Sequence, residues 1–315
     1  MNRTRLGEWG ALVLVWLGLV ALFGTLADHF LSATTLTTVA GRLPALSVIA
    51  AGMTLVIIAG GIDLSVGSVM ALSGAVLGVA IVQWGWPLAA AIPVAILTGA
   101  LAGLGTGLLT VGLRIPSFLV TLGSLEICRG LTYAVCDSRT LFIGAAIRPL
   151  AQPIPLLGIP PTVPVALAVV LAAQAILSRT IFGRHLVAIG ANEPAVRLAG
   201  IDTAVPRVAV FVLSGALAGL AAVFATARLG SADPNAGNGL ELAAIAAVVI
   251  GGTSLSGGSG SVVGSLLGVL VIATLEAGLA QLGASEPLKR IVTGGAIIAA
   301  VAADALRRRW EGPRG

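Results

Sequence analysis

The sequence predicts an all-α polytopic membrane protein, a single transmembrane domain over residues 1–315. Three observations carry this. The apolar runs are long and continuous and do not alternate, which is the pattern of spanning helices and not of barrel strands. Charged residues make up only 10% of the chain against 57% hydrophobic, with a mean hydropathy of +1.05; a soluble domain carries about 25% charged residues. Glycine is abundant, at 42 residues, while aromatics are 4%, so helices must meet through small residues, as transmembrane helices do.

A helix needs about 20 apolar residues to cross a bilayer, at about 1.5 Å each. By that measure about ten candidate spans follow in order: 9–27, 44–60, 64–83, 88–111, 117–135, 162–178, 208–228, 240–253, 260–281 and 289–306. The first, Trp9 to Ala27, follows Arg3 and Arg5. It is too long for a signal-peptide core and lacks a clear cleavage site, so it is expected to remain as a span. The stretch 240–253 is short and is expected to be a half-helix or partial span.

Basic residues set orientation. Placing both termini in the cytoplasm puts Arg3, Arg5, Arg114, Arg179, Arg184, Arg197, Arg207, Arg307, Arg308, Arg309 and Arg314 inside. Arg42, Arg139, Arg148, Arg228, Lys289 and Arg290 then lie outside, eleven against six, with Arg129 inside a span. The net charge of +5 therefore reports topology and gives no sign of nucleic-acid binding. Cys128 and Cys136 lie in one apolar region and read as small packing residues; His29 and His185 are solitary, so no metal site is expected.

The stretch around which the chain is organised is Gly60-Gly61-Ile62-Asp63-Leu64-Ser65-Val66-Gly67-Ser68, between two spans. A second copy without the acid recurs as Gly251-Gly252-Thr253-Ser254-Leu255-Ser256-Gly257-Gly258-Ser259. The two are separated by an even number of spans, which predicts a parallel internal repeat relating 44–111 to 240–306 about an axis along the membrane normal. Irregular backbone is tolerated at membrane depth only where it is buried or lines a cavity. Gly60, Gly61, Asp63, Ser65, Gly67, Gly251, Gly252 and Ser254 are accordingly candidate path or gate residues, in broken helices.

Carboxylates inside spans cost about 2.5–3.5 kcal/mol each on insertion scales and mark function by default. Asp63 reads either as an N-cap for a helix starting at Leu64 or as a gate residue. Glu126 is a further path candidate, although Arg129, three residues on, makes a structural ion pair the favoured reading. Glu276 has no basic neighbour at helical spacing and is expected to face the bundle interior.

Two connections are polar. Residues 136–161 carry Asp137, Arg139, Arg148 and five prolines and face outside on this orientation, as a surface loop or a docking surface. The segment 179–207 faces the cytoplasm. Within it Asn192 is a good N-cap, Glu193 and Pro194 suit a first turn, Glu193 precedes Arg197 by four, and Gly200 is a natural stop. The result is a helix of about two turns, marginal alone in water, which calls for a partner. No phosphate loop exists, because Lys289 is the only lysine, and no catalytic constellation is present.

These stretches resemble a known family. Gly60 to Ser68 resembles the signature of ribose-type permeases, the membrane subunits of bacterial ABC importers for monosaccharides. Pro116 to Gly123 with Arg129-Gly130-Leu131 resembles the family's central span, Gly190 to Ile201 its coupling segment, and Glu241 to Ser254 its late repeat. The likeness runs in order from about residue 40 to 305. It implies two permease copies forming a path in a bacterial inner membrane and cytoplasmic ATP-binding subunits docked through Asn192, Glu193, Ala195, Arg197, Leu198 and Gly200. It also implies an extracytoplasmic sugar-binding protein, and alternating access without a cofactor of the chain's own. The rivals are an ion-coupled secondary transporter using Asp63, Glu126 or Glu276, an ABC permease for a nucleoside or amino acid, a membrane-embedded enzyme, and a structural subunit.

Overall fold

The computed structural model describes the backbone of residues 3–155 and 158–311, and the side chains of 9–155, 158–299 and 301–302. Arg314 lies outside the described residues. The chain is a helical bundle of α1 (Arg3–Leu26), α2 (Ala33–Ile58), α3 (Val66–Val82), α4 (Leu88–Gly112), α5 (Ser117–Val135), α6 (Thr162–Arg179), α7 (Ile181–Leu198), α8 (Ala204–Leu229), α9 (Leu240–Ile250), α10 (Val262–Gln281) and α11 (Glu286–Glu311). Two short strands, β1 (Leu141–Phe142) and β2 (Ser231–Ala232), pair antiparallel.

Among the described residues seven helices are long and apolar enough to cross a membrane: α1, α2, α4, α5, α6, α8 and α10. α3 and α9 are apolar but shorter, at 17 and 11 residues. Eleven residues rise about 16 Å, roughly half a hydrocarbon core, so α9 is a half-helix. α11 carries Glu286, Lys289 and Arg290 at its start and Arg307 to Arg309 in its last turns. α2 starts eleven residues before the predicted span: Ser32 caps it by accepting from Thr35 N–H, and the helix runs through Pro44, which is buried. A bundle tolerates such a proline because neighbouring groups take up the freed carbonyl.

The centre is α2, nearly all of whose second half is buried, enclosed by α6, α8, α9 and α10. The most extensive contact between helices is that of α4 with α8. Gly99 and Gly103 on α4 face Gly215 and Gly219 on α8, and Gly107 one turn on faces Val208 and Phe211; a Cβ on Gly215 would sit 3.0 Å from Gly103 N and overlap the Gly99 carbonyl. These four-residue intervals place bare backbone on backbone, the small-residue contact expected from composition. α1 stands apart, held by Phe23 against Gly278 and by Trp16 Nε1 donating to Thr274 Oγ1 at 3.0 Å.

The connection after α5 is not a free loop. β1 is tied to β2 at the end of α8, and Ile143 and Ile147 are buried beneath it. Cys128 and Cys136 are buried free thiols, and no group of residues able to hold a metal occurs among the described residues.

Candidate functional site

α2 ends at Ile58 on a cap that needs a left-handed residue: Gly60 takes φ +79° while its N–H donates to Ile57 O and that of Gly61 to Val56 O. α9 ends in the same way at Ile250, with Gly252 at φ +83°, Gly252 N–H to Val249 O and Thr253 N–H to Val248 O. The structural register thus pairs Gly60 with Gly252, one residue on from the alignment of the two sequence motifs. α7 and α10 close on this cap too, at Gly200 and Gly283, so the cap alone does not establish the repeat. The two turns also differ in length. α3 begins at Val66, six residues after its glycine, and α10 at Val262, ten after its own.

Asp63 lies between α2 and α3, 3% exposed. Its Oδ1 accepts from Ser65 N–H at 3.0 Å and Ser65 Oγ at 2.6 Å; its Oδ2 accepts from Ser214 Oγ on α8 at 2.9 Å. It is therefore not the cap of a helix starting at Leu64. It folds the turn on itself and ties it to α8, and both its oxygens are occupied. The neighbouring Ile62 is held at both backbone groups by α5, its N–H donating to Ser117 Oγ at 3.0 Å and its carbonyl accepting from Thr121 Oγ1 at 3.2 Å. Removing the carboxylate strands three buried donors, Ser65 N–H, Ser65 Oγ and Ser214 Oγ, each costing about 1–3 kcal/mol when unsatisfied. Asp63→Leu is expected to lower stability by at least that amount. Asp63→Asn, which can still accept from Ser65 and donate to Ser214, is expected to lose less. Thermal unfolding of the purified variants checks the order; equal losses would contradict it.

Gly67 opens α3 where the chain before α9 crosses it: a Cβ there would overlap the Gly237 carbonyl and the Glu241 carboxylate. That same stretch explains Arg129. Its Nη1 donates to Pro234 O at 2.9 Å and Ala236 O at 3.1 Å, and no ion pair joins it to Glu126 among the described residues. The expected pairing is thus replaced by a cation holding carbonyls about a hundred residues away. Glu126 lies instead on the exposed face of α5, beside Phe118, Leu122 and Ile127. Glu276 is half-buried and lines a cavity of about 340 Å³ with Arg42, Asn238, Glu286, Lys289, Arg290 and Thr293.

The second turn is built by groups that spacing does not reveal. Gln174 on α6 caps α10, its Oε1 accepting from Val262 N–H at 2.9 Å, Val263 N–H at 3.2 Å and Ser261 Oγ at 3.1 Å. Gly251 packs against Gly264 at the start of α10. Ser254 donates its N–H to Ser259 O at 3.0 Å, closing the turn.

The predicted two-turn helix is present, as the second of two helices that meet at a kink. α7 runs from Ile181 to Leu198 and bends at Asn192 (φ −162°, ψ 86°), whose Oδ1 accepts from Ala195 N–H at 3.0 Å. Glu193 does more than pair with Arg197 at 2.7 Å. It also accepts from Arg207 Nη1 on both oxygens, at 3.0 and 3.1 Å, and from Thr203 Oγ1 at 2.9 Å. Burial pushes its carboxyl up, but the hydrogen bonds from Arg197 and Thr203 and the charges of Arg207 and Arg197 outweigh this and hold it below its usual 4.5. Ser214, Arg207, Thr203, Gln174 and Gly190 are the site residues that the sequence reading passed over. Ser214, Gln174 and Gly190 are recognisable only once distant segments are brought together, Arg207 and Thr203 only once the start of α8 folds back on Glu193. Val196 alone points inward from the distal segment, while Ala195, Arg197 and Leu198 face out, Leu198 at 91% exposure.

Residues 35–301 match the family described as branched-chain amino acid transport system / permease component. The chain is 39% identical over 293 residues to the ribose import permease protein of Escherichia coli K12, covering 91% of this chain and 90% of that one. It is 40% identical over 290 residues to the ribose import permease protein of Bacillus subtilis 168, covering 91% and 89%. With the fructose import permease protein of Rhizobium meliloti it shares 32% over 306 residues, covering 93% and 84%. No solved structure matches the chain.

Proposed function

Because the chain belongs to the branched-chain amino acid transport system / permease component family, we propose that it forms the translocation path of a bacterial ABC importer and carries a monosaccharide by alternating access. It is a multi-pass membrane permease of the ABC import type, a transport component and not itself a catalyst. ATP hydrolysis belongs to separate subunits docked on the distal part of α7. Both termini face the cytoplasm with α7, and the β1–β2 end faces the binding protein that delivers the sugar. The ribose and fructose permeases among the relatives support a sugar cargo.

The observation that carries the docking role is the distal segment of α7. It presents Ala195 and an almost fully exposed Leu198 on a short helix held at its base by Glu193. An exposed i,i+4 pair contributes only about 0.3–0.5 kcal/mol. The three-partner arrangement at Glu193 therefore serves position more than stability. It keeps the segment in register with α8 so that a push on the first is felt by the second.

A second copy of the chain completes the path along α5. A lone carboxylate such as Glu126 is costly against lipid, and Gly123 and Gly130, with open space before them, allow close approach on the same helix. A water-filled path between two copies removes that cost. The test is purification from the native membrane in mild detergent, with a photo-crosslinker at Leu198. An ATP-binding subunit crosslinked there and two copies of this chain per particle are expected. A monomer with no ATP-binding subunit attached would refute the reading.

A further inference from the structure

Three backbone segments from distant parts of the chain meet where α7 reaches the core. Ile58 is the last residue of α2, and its carbonyl accepts from Gly258 N–H of the second glycine turn at 2.9 Å. Gly190 of α7 lies against that hydrogen bond. A Cβ there would overlap the Ile58 carbonyl and come within 2.5 Å of Gly258 N. A Cβ on Gly257 would stand 3.1 Å from both Gly190 Cα and Gly60 Cα, and one on Gly258 2.8 Å from Ala191 Cα. Gly60, Gly257 and Gly258 all take positive φ, between +73° and +84°, so the two turns are shaped by backbone alone and Gly190 fits only for lack of a side chain. The bend at Asn192 follows two residues later.

We infer that Gly190 is a positioning residue that passes movement of the distal α7 segment to both glycine turns at once. The inference rests on the coupled-permease reading and adds to it the point of transmission. Two routes lead from the distal segment and converge on the first turn. One runs through Ala191 and Gly190 to Ile58, Gly60 and Gly258. The other runs from Glu193 through Arg207 on α8, whose Ser214 holds Asp63. The first has no side chain that can yield. Backbone packed on backbone in a dense interior transmits displacement without slack, and such contacts are bistable, not continuously deformable. The second glycine turn meets α7 only through this junction among the contacts described, so moving both turns together requires it.

The test uses the complex with its ATP-binding partner in proteoliposomes. Single cysteines are placed at Leu64 in the first turn and Ser259 in the second, and maleimide labelling is compared with and without ATP and vanadate. In the parent, labelling at both positions is expected to change by at least about fivefold, the lower end of ordinary coupling energies. With Gly190→Ala added, the change at Ser259 is expected to vanish and that at Leu64 to fall to what the Arg207–Ser214 route alone carries, while vanadate-trapped nucleotide is still found on the partner. If Gly190→Ala does not assemble, Ala191→Gly, which removes contact and cannot clash, is read in the same way and is expected to reduce both changes in parallel. A full response at either turn in the assembled variant would overturn the inference and leave the coupled-permease reading standing. No nucleotide response in the parent would overturn both.

Discussion

Replacing Glu193 and Arg197 together by alanine is expected to reduce solute uptake about tenfold or more per ATP hydrolysed, within the ordinary range of coupling energies. Expression and insertion should be unaffected. The double variant removes the carboxylate that Arg207, Thr203 and Arg197 share. It leaves the first part of α7, the N-cap at Asn192 and the buried Val196 in place. The distal segment then remains helical but is no longer in register with α8. Arg207→Ala alone should produce much of the same loss, because it takes away the two hydrogen bonds that tie Glu193 to a side chain within α8. The clamp depends on ionised Glu193. Since the folded-state carboxyl is held below 4.5, its contribution is fully present above that value and is lost only as pH falls below it. Uptake per ATP in the parent should therefore not vary through this group between about pH 5 and 8. A steep change in that window that disappears in Glu193→Gln would contradict the assignment.

Gly215→Leu is expected to abolish the folded protein. Its Cβ would overlap the Gly99 carbonyl and stand 3.0 Å from Gly103 N. Neither atom belongs to a side chain that can rotate away, so α4 and α8 must separate along their whole contact. Overpacking ordinarily costs about 1–3 kcal/mol and more where backbone blocks relaxation; here the cost should exceed the upper figure. Gly105→Ala, on α4 with nothing within 4 Å of the added Cβ, should stabilise by about 0.5–1 kcal/mol through helix propensity alone. Monodisperse yield and thermal unfolding in detergent measure both. A Gly215→Leu protein that melts with the parent would show that the α4–α8 contact is not as close as described.

The elements were legible where one residue type does one job. α5 runs from Ser117 to Val135 as expected because Pro116 marks its start and the apolar run is unbroken. Gly60 and Gly252 announced their turns because a left-handed cap nearly requires glycine. Glu193, Arg197 and Gly200 showed a capped segment through helical spacing. The start of α2 was hidden by its threonines and Pro44, which read as a break in any isolated chain. Glu126 with Arg129 misled for a physical reason. Spacing of three finds a neighbour on the same helix, but it cannot see that Pro234 and Ala236 offer carbonyls which a guanidinium satisfies instead. The same blindness hid Ser214, whose partner is 151 residues away, and Gly190, whose role exists only at a junction of bare backbones; Arg207 meets Glu193 across 14 residues, off helical spacing.

Reconstituted vesicles give the most direct measurement of the central reading. The chain alone, and the chain with its ATP-binding and sugar-binding partners, are assayed for uptake of labelled D-ribose, D-allose and D-fructose, with and without internal or external ATP and with a protonophore. Accumulation of at least one sugar is expected only from the full assembly, only with ATP on the side of α7, and undiminished by the protonophore. Accumulation by the chain alone that collapses with the protonophore would contradict it and identify an ion-coupled carrier.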